Sequence, residues 1–212
     1  QGLTAHYLVT DTFPVKPGHR VLVHAAAGGT GQLVCQMAKL LGAEQIIGTV
    51  SSEEKAVLAK QVSGCTDVIV YKDAKAEKIA QQVRKLTKDG TGVHVCYDGV
   101  GKDTWEESLD SLAVRGMMVT FGNSSGPVPA FSPLELSKRG SLSVCRPSLA
   151  HYVRSREELN GRAIQVFDWV RKNQIKVNIH KKFELKDAAA AHLELEGRKT
   201  LGKILINTLK KL

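Results

Sequence analysis

From residue 26 to residue 31 the sequence reads Ala-Ala-Gly-Gly-Thr-Gly, three glycines where an apolar run, Arg20 to Ala26, gives way to a helix-period segment through Leu33, Met37 and Leu40. Glycines at a strand-to-helix junction suit phosphate chemistry. Gly28 would let the backbone approach a pyrophosphate, Gly31 would let the helix pack closely on the sheet, and the unpaired N–H groups of the helix start would face the phosphate charge. The spacing is that of G-x-G-x-x-G with Ala26 in the first position, so it departs from the strict pattern. A turn that merely starts a helix is the bland alternative, and it would need one glycine rather than three. Ala27, Gly28, Gly29, Thr30 and Gly31 are therefore the candidate phosphate-binding residues.

The next apolar run ends Gly48-Thr49-Val50-Ser51-Ser52. An Asp or Glu at that point would hold a ribose 2′-hydroxyl, and none is present. Ser51 and Glu54 have capping-box spacing, which assigns the glutamates to a helix start. Lys55 falls in the first turn of that helix, where a cation gains nothing from the helix dipole but could meet a 2′-phosphate. Lys55 could equally be a solvated surface lysine. The missing acid favours NADP(H) over NAD(H) as the ligand.

These residues need a scaffold, and the pattern around them supplies one. Strands are expected at Arg20 to Ala26, Gln45 to Val50, Asp67 to Tyr71, His94 to Tyr97, Met117 to Phe121 and Ser141 to Cys145, with helices at Glu53 to Val62, Glu77 to Thr87 and Thr104 to Ala113 between them. Such alternation predicts an α/β fold: a doubly wound parallel sheet of the Rossmann type. After Ser148 the rhythm changes to a helix at Arg156 to Lys172, a strand at Ile175 to Leu185, an Ala-rich helix at Lys186 to Leu195 and a strand at Lys203 to Ile206. Those strands have no partners in a doubly wound sheet, which places a boundary near residue 150 and divides the chain into 1–150 and 151–212.

The 212 residues are 42% hydrophobic and 24% charged, enough for one sizeable core and outside the disordered and fibrous classes. No apolar run approaches the roughly 18 residues of a membrane span, and no signal-peptide layout opens the chain, so the expected compartment is the cytosol. The chain begins without methionine inside an amphipathic helix carrying Leu3, Tyr7 and Leu8, and reads as truncated. The net charge of +9 is dispersed rather than striped, which suits an anionic ligand better than nucleic acid. Cys35, Cys65, Cys96 and Cys145 lack metal-ligand spacing and read as small buried hydrophobes. No Ser-His-Asp set or carboxylate pair is found, and no residue is nominated as a catalytic acid, base or nucleophile, or as a metal ligand.

HAAAGGTGQLVCQMAKLLGA, VCYDGVGKDTWEESLDSL, FGNSSG and CRPSL together resemble the zeta-crystallin-type quinone oxidoreductases of the medium-chain dehydrogenase/reductase superfamily, over nearly the whole chain. The resemblance implies NADPH as cofactor and hydride transfer to a quinone or a similar conjugated carbonyl, with an enoyl or alkenal reductase as the alternative and a single-stranded nucleic-acid-binding module as a third reading. It implies that Lys55, Tyr71 and Arg198 surround the adenosine 2′-phosphate, that Gly99 and Val100 line the adenine and ribose side, that Phe121, Gly122, Asn123 and Ser124 run along the nicotinamide ribose, and that Thr4 lies near the nicotinamide ring; Ser51 is a further candidate cofactor-binding residue. It further implies that residues 151–212 complete a GroES-like catalytic domain encoded upstream, so that the fragment alone is inactive, and that the edge strand Ser141 to Cys145 pairs with its own copy in a homodimer.

Overall fold

Residues 1–71, 78–197 and 200–208 are described by the computed structural model of the chain. Helix α1 (Gly2–Tyr7) opens the chain and runs into a π-turn at Leu8–Thr12. Six strands follow: β1 (Arg20–Val23), β2 (Gln45–Val50), β3 (Asp67–Val70), β4 (Val93–Asp98), β5 (Leu112–Thr120) and β6 (Ser143–Cys145). They form one sheet in the order β3-β2-β1-β4-β5-β6 with every neighbouring pair parallel. Parallel neighbours cannot be joined by hairpins, so helices cross between them. These are α2 (Gly29–Leu40), α3 (Glu53–Gln61), α4 (Ile79–Leu86), α5 (Trp105–Asp110) and the five-residue α6 (Leu134–Lys138). The expected doubly wound sheet is present, and its strand order reverses between β1 and β4.

Both faces of the sheet are covered, which is why its strands carry continuous apolar runs. Val21, Val23, Ile46, Val95, Tyr97 and Val119 point to one core, with Leu33, Val34 and Met37 of α2 and Ala5, Tyr7 and Leu8 from the chain start. Leu22, Ile47, Ile69, Cys96 and Met118 point to the other, with Trp105 and Leu109 of α5 and Val83 of α4. The alternation is the pleat of the strands made visible by packing. Cys35, Cys65 and Cys96 are buried and Cys145 is half-buried, all four as free thiols.

Element boundaries depart from expectation where the backbone turns left-handed. β1 stops at Val23 because Ala25 has φ +52°, and β6 is two residues shorter than Ser141 to Cys145 because Ser141 has φ +56°. β5 begins at Leu112, five residues early, with the ladder to β4 shifting register between Val93 and Val95 and Arg115 at φ +61°. The N-cap of α3 is Ser52, whose hydroxyl accepts from Lys55 N, so the capping box expected from Ser51 and Glu54 is not formed. The expected start of α4 at Glu77 lies outside the described residues.

Beyond β6 come α7 (Leu149–Tyr152), α8 (Arg156–Arg171), β7 (Ile179–Glu184), α9 (Ala188–Glu196) and β8 (Lys203–Asn207). Among the described residues β7 and β8 pair only with each other, in parallel. Helix α8 starts on a true capping box, Ser155 with Glu158. It then delivers Val166 and Trp169 into the first core, with Ile175 just beyond it. Polar contacts lock it to the chain start: His6 Nε2 lies 2.7 Å from Gln165 Oε1, and Arg162 pairs with Asp11. Tyr7 stacks on Tyr152 with centroids 4.2 Å apart. No helix among the described residues is long and apolar enough to cross a membrane.

Trp169→Ala removes a buried ring that packs 5.4 Å from His6, so the urea midpoint should fall by the equivalent of about 3–5 kcal/mol. Acid should also destabilise the fold. Burial holds His6 and His24 below the ordinary imidazole value of 6.5, so the unfolded chain takes up protons that the folded chain refuses. Their stabilisation is complete above pH 6.5 and is lost as pH falls below it, at no more than about 1.4 kcal/mol per pH unit for each histidine. Urea titrations at pH 7.5, 6 and 5 read this directly, and His24→Gln should flatten the acid limb.

Candidate functional site

The carboxyl ends of β1, β2, β4 and β5 open on one crevice, at the point where strand order reverses, which is where doubly wound sheets take ligands. On the β1 side, Ala25 at φ +52° turns its carbonyl to accept Gly28 N at 2.8 Å. Gly28 then caps α2 with extended backbone and no side chain. Gly29, Thr30 and Gly31 are the first three residues of α2, and the N–H groups of a first turn have no acceptor within their own helix. Gln32 steadies the turn from behind, its side-chain amide donating to Ala27 O at 2.7 Å. A Cβ on Gly31 would stand 2.4 Å from Ala25 O, so any side chain there would push helix and turn apart. The turn is thus an N–H-rich cradle at a helix start, with the Gln1 side chain packed against Gly29.

On the β2 side, Lys55 reaches back along its helix and its ammonium donates to Ser51 Oγ at 3.1 Å. Tyr71 follows β3 and its N–H donates to Val50 O at 3.0 Å, which keeps Tyr71 beside the end of β2. No carboxylate occurs at Ser51 or Ser52; Glu53 and Glu54 belong to the first turn of α3. Lys55 is thus joined directly to Ser51, and the backbone of Tyr71 lies beside the same end of β2. Arg198, the fourth residue assigned to this end, lies outside the described residues.

The segments after β4 and β5 extend their strands as a zipper. Phe121 N donates to Asp98 O at 2.8 Å, Ser124 N to Gly99 O at 3.3 Å and Ser125 N to Val100 O at 2.8 Å. A Cβ on Gly122 would stand 2.5 Å from Gly99 O, so the two backbones approach as closely as glycine allows. Gly99, Val100 and Phe121 to Ser124 consequently form one wall of the crevice. Thr4 is half-buried in α1, which packs alongside α2.

Sequence reasoning missed the buried polar chain beneath this wall. Asp98 is fully buried; its Oδ1 accepts Val100 N at 2.6 Å and Gly101 N at 3.0 Å, and its Oδ2 accepts the hydroxyls of Thr104 at 2.6 Å and Ser108 at 2.9 Å. Ser108 Oγ also lies 2.9 Å from His24 Nε2, and His24 Nδ1 lies 2.9 Å from Thr49 Oγ1. The available signal was Asp98 itself, an acid ending an apolar strand immediately before Gly-Val-Gly. Thr120, opposite Asp98 in the ladder, is buried with its hydroxyl unpartnered among the described residues. No group of three His, Cys, Asp or Glu side chains among the described residues is arranged to hold a metal ion.

Known proteins share this architecture. A quinone oxidoreductase of Pseudomonas aeruginosa is 46% identical over 206 residues, covering 97% of this chain and 62% of its own length. A 2-haloacrylate reductase from a Burkholderia species is 44% identical over 207 residues, covering 97% of this chain and 60% of its own. A mycobacterial protein solved in complex with NADPH superposes with a TM-score of 0.92 at 46% identity, over 98% of this chain and 62% of that one. The chain therefore spans about three fifths of the length of the relatives it matches. Residues 29–168, from the phosphate turn to helix α8, match the zinc-binding dehydrogenase family throughout, and the chain belongs to that family.

Proposed function

We propose that this chain is the cofactor-binding part of an NADPH-dependent oxidoreductase that reduces a quinone or a similar conjugated carbonyl. The observation that carries this reading is the pairing, at the carboxyl ends of neighbouring strands, of a glycine-rich helix-start cradle with a Lys55–Ser51 cluster where an NAD-selective acid would otherwise stand. Ala27, Gly28, Gly29, Thr30 and Gly31 would hold the pyrophosphate; Ser51, Lys55, Tyr71 and Arg198 would hold the 2′-phosphate. Gly99, Val100, Phe121, Gly122, Asn123, Ser124 and Thr4 would flank the rest of the dinucleotide.

Bound there, NADPH supplies the hydride, and the protein's part is to orient the nicotinamide and keep water away. The described residues offer no metal triad despite the family's name, so no step is assigned to zinc. Reduction of an electron-poor double bond is the second reading, and the 2-haloacrylate reductase among the relatives favours keeping it. Assays of the intact enzyme on benzoquinones and on alkenals separate the two. The nucleic-acid reading gains nothing, because Tyr7, Tyr97, Trp105 and Trp169 are buried in the cores and the exposed Tyr71, Phe131 and Phe167 sit on three separate segments rather than along one groove. Free thiols suit a reducing compartment, and we place the protein in the cytosol.

We assign residues 151–212 to a catalytic domain that this chain does not complete, with α8 as the seam, because one face of α8 packs Val166 and Trp169 into the first core of the sheet. Its other face carries the exposed Ile164 and Phe167, and Val177, Ile179, Leu185, Leu193 and Leu195 are exposed further along the same segment. The same reading places a homodimer on β6, which ends the sheet with an open edge. A two-fold axis would set β6 antiparallel to its copy and join two sheets into one.

Lys55→Ala should weaken NADPH by about tenfold or more while changing NADH little, since a charge-assisted contact to phosphate is worth roughly 1.5–3 kcal/mol. Fluorescence titration with both cofactors measures it, and equal weakening would remove the 2′-phosphate assignment. Val144→Pro, in the middle of β6, should shift sedimentation from dimer toward monomer by deleting a ladder donor. A wild-type monomer at micromolar concentration would dispose of the interface.

A further inference from the structure

The buried chain Thr49–His24–Ser108–Asp98 meets the assigned cofactor positions directly only where Asp98 Oδ1 accepts Val100 N, yet its members sit at the carboxyl ends of β1, β2 and β4, the strands whose loops carry most of those positions. Thr49 sits one residue before the end of β2, and its carbonyl accepts Ala26 N of the phosphate turn at 3.1 Å. His24 follows β1, with its N–H bonded to Tyr97 O at 3.1 Å. Asp98 ends β4 and grips Val100 N and Gly101 N, while its own carbonyl holds Phe121. We propose, building on the dinucleotide reading above, that this chain is the positioning device of the crevice: it fixes the β1 and β2 side against the β4 and β5 wall so that one dinucleotide can touch both, with His24 held in it as the neutral Nε2–H tautomer.

The tautomer follows from counting protons. Asp98 receives four donors, two of them backbone N–H groups that cannot reverse. Ser108 has one hydroxyl proton and spends it on Asp98 Oδ2, so toward His24 its oxygen can only accept. His24 Nε2 must therefore carry the proton, which leaves Nδ1 bare to accept from Thr49 Oγ1. Burial lowers the proton affinity of His24, in keeping with a neutral ring. The chain thus has one direction, Thr49 to His24 to Ser108 to Asp98, set by the carboxylate at its end.

That direction can be inverted without removing any link. In Asp98→Asn the side-chain oxygen can keep Val100 N and Gly101 N while the amide NH2 donates to Thr104 and Ser108. Ser108 must then donate to His24 Nε2, and the histidine proton moves to Nδ1 and points at Thr49. Ser108→Ala instead cuts the chain in the middle, and Asp98→Ala releases the loop after β4.

The test uses the 212-residue chain, with histidine tautomers read by long-range proton–nitrogen NMR, dinucleotide affinity by NADPH fluorescence titration, and stability by thermal melting alongside. Wild type should show His24 as Nε2–H and Asp98→Asn as Nδ1–H. Ser108→Ala and Asp98→Ala should each lose about tenfold or more in NADPH affinity while still folded at the assay temperature. Should Asp98→Ala fail to fold, Ser108→Ala and Asp98→Asn decide the matter. Folded Ser108→Ala binding NADPH like wild type, or a wild-type His24 protonated on Nδ1, or a tautomer unchanged in Asp98→Asn, overturns the proposal while leaving the cofactor reading in place. A wild-type chain that binds neither NADPH nor NADH overturns the cofactor reading and this proposal with it.

Discussion

Asp98 is fully buried at the end of a parallel strand, a position in which an unsatisfied carboxylate costs several kcal/mol. Four hydrogen bonds meet that demand, and making them determines the surrounding geometry. Two come from the N–H groups of Val100 and Gly101, which forces the chain to fold back over the carboxylate as soon as β4 ends. Two come from Thr104 and Ser108, which sets the start and the rotation of α5. With that loop fixed, Gly99 is presented to Gly122, the ladder between β4 and β5 continues past its last strand residues, and the crevice acquires a firm wall. The glycines and the acid are two halves of one arrangement: the acid pulls the backbone in, and the glycines make room for it.

The scaffold was legible because its signals are local. Apolar runs of strand length, helix-period segments and the glycine turn each lie within a dozen residues, and the sheet order follows once the connections are right-handed crossovers. The phosphate turn was legible for the same reason, since Gly28 and Gly31 act within their own strand–helix junction. Boundaries were not, because they depend on single residues entering the left-handed region. Nothing in the types Ala25 or Ser141 announces a positive φ, and a strand stops short at each; β5 gains its early start from Leu112, which pairs with Val93 across a register shift. The cap of α3 moved from Ser51 to Ser52 for a related reason: adjacent serines offer the same chemistry, and only the path of the chain out of β2 chooses between them.

The polar chain was illegible because it is assembled from four elements. His24 lies among apolar residues and reads as a core histidine; Ser108 and Thr104 read as helix-start hydroxyls; Thr49 reads as a strand threonine. Their shared purpose exists only when β1, β2, β4 and α5 are stacked. The same holds for the half of the first core supplied by α8. Val166 and Trp169 show helical spacing, but so do the exposed Ile164 and Phe167, and sequence alone cannot say which face meets the sheet.

The lock between the two ends of the chain also bears on its synthesis. His6 meets Gln165 across 159 residues, and Trp169 and Ile175 finish a core that Tyr7 and Leu8 begin. At roughly 5–20 residues per second, a ribosome needs about 8–30 s to travel that far, so the side of α1 that meets α8 stays open until residue 165 and its neighbours emerge. Contacts of such long range are also slow to close, which makes the seam between α1 and α8 a late-sealing side of this core.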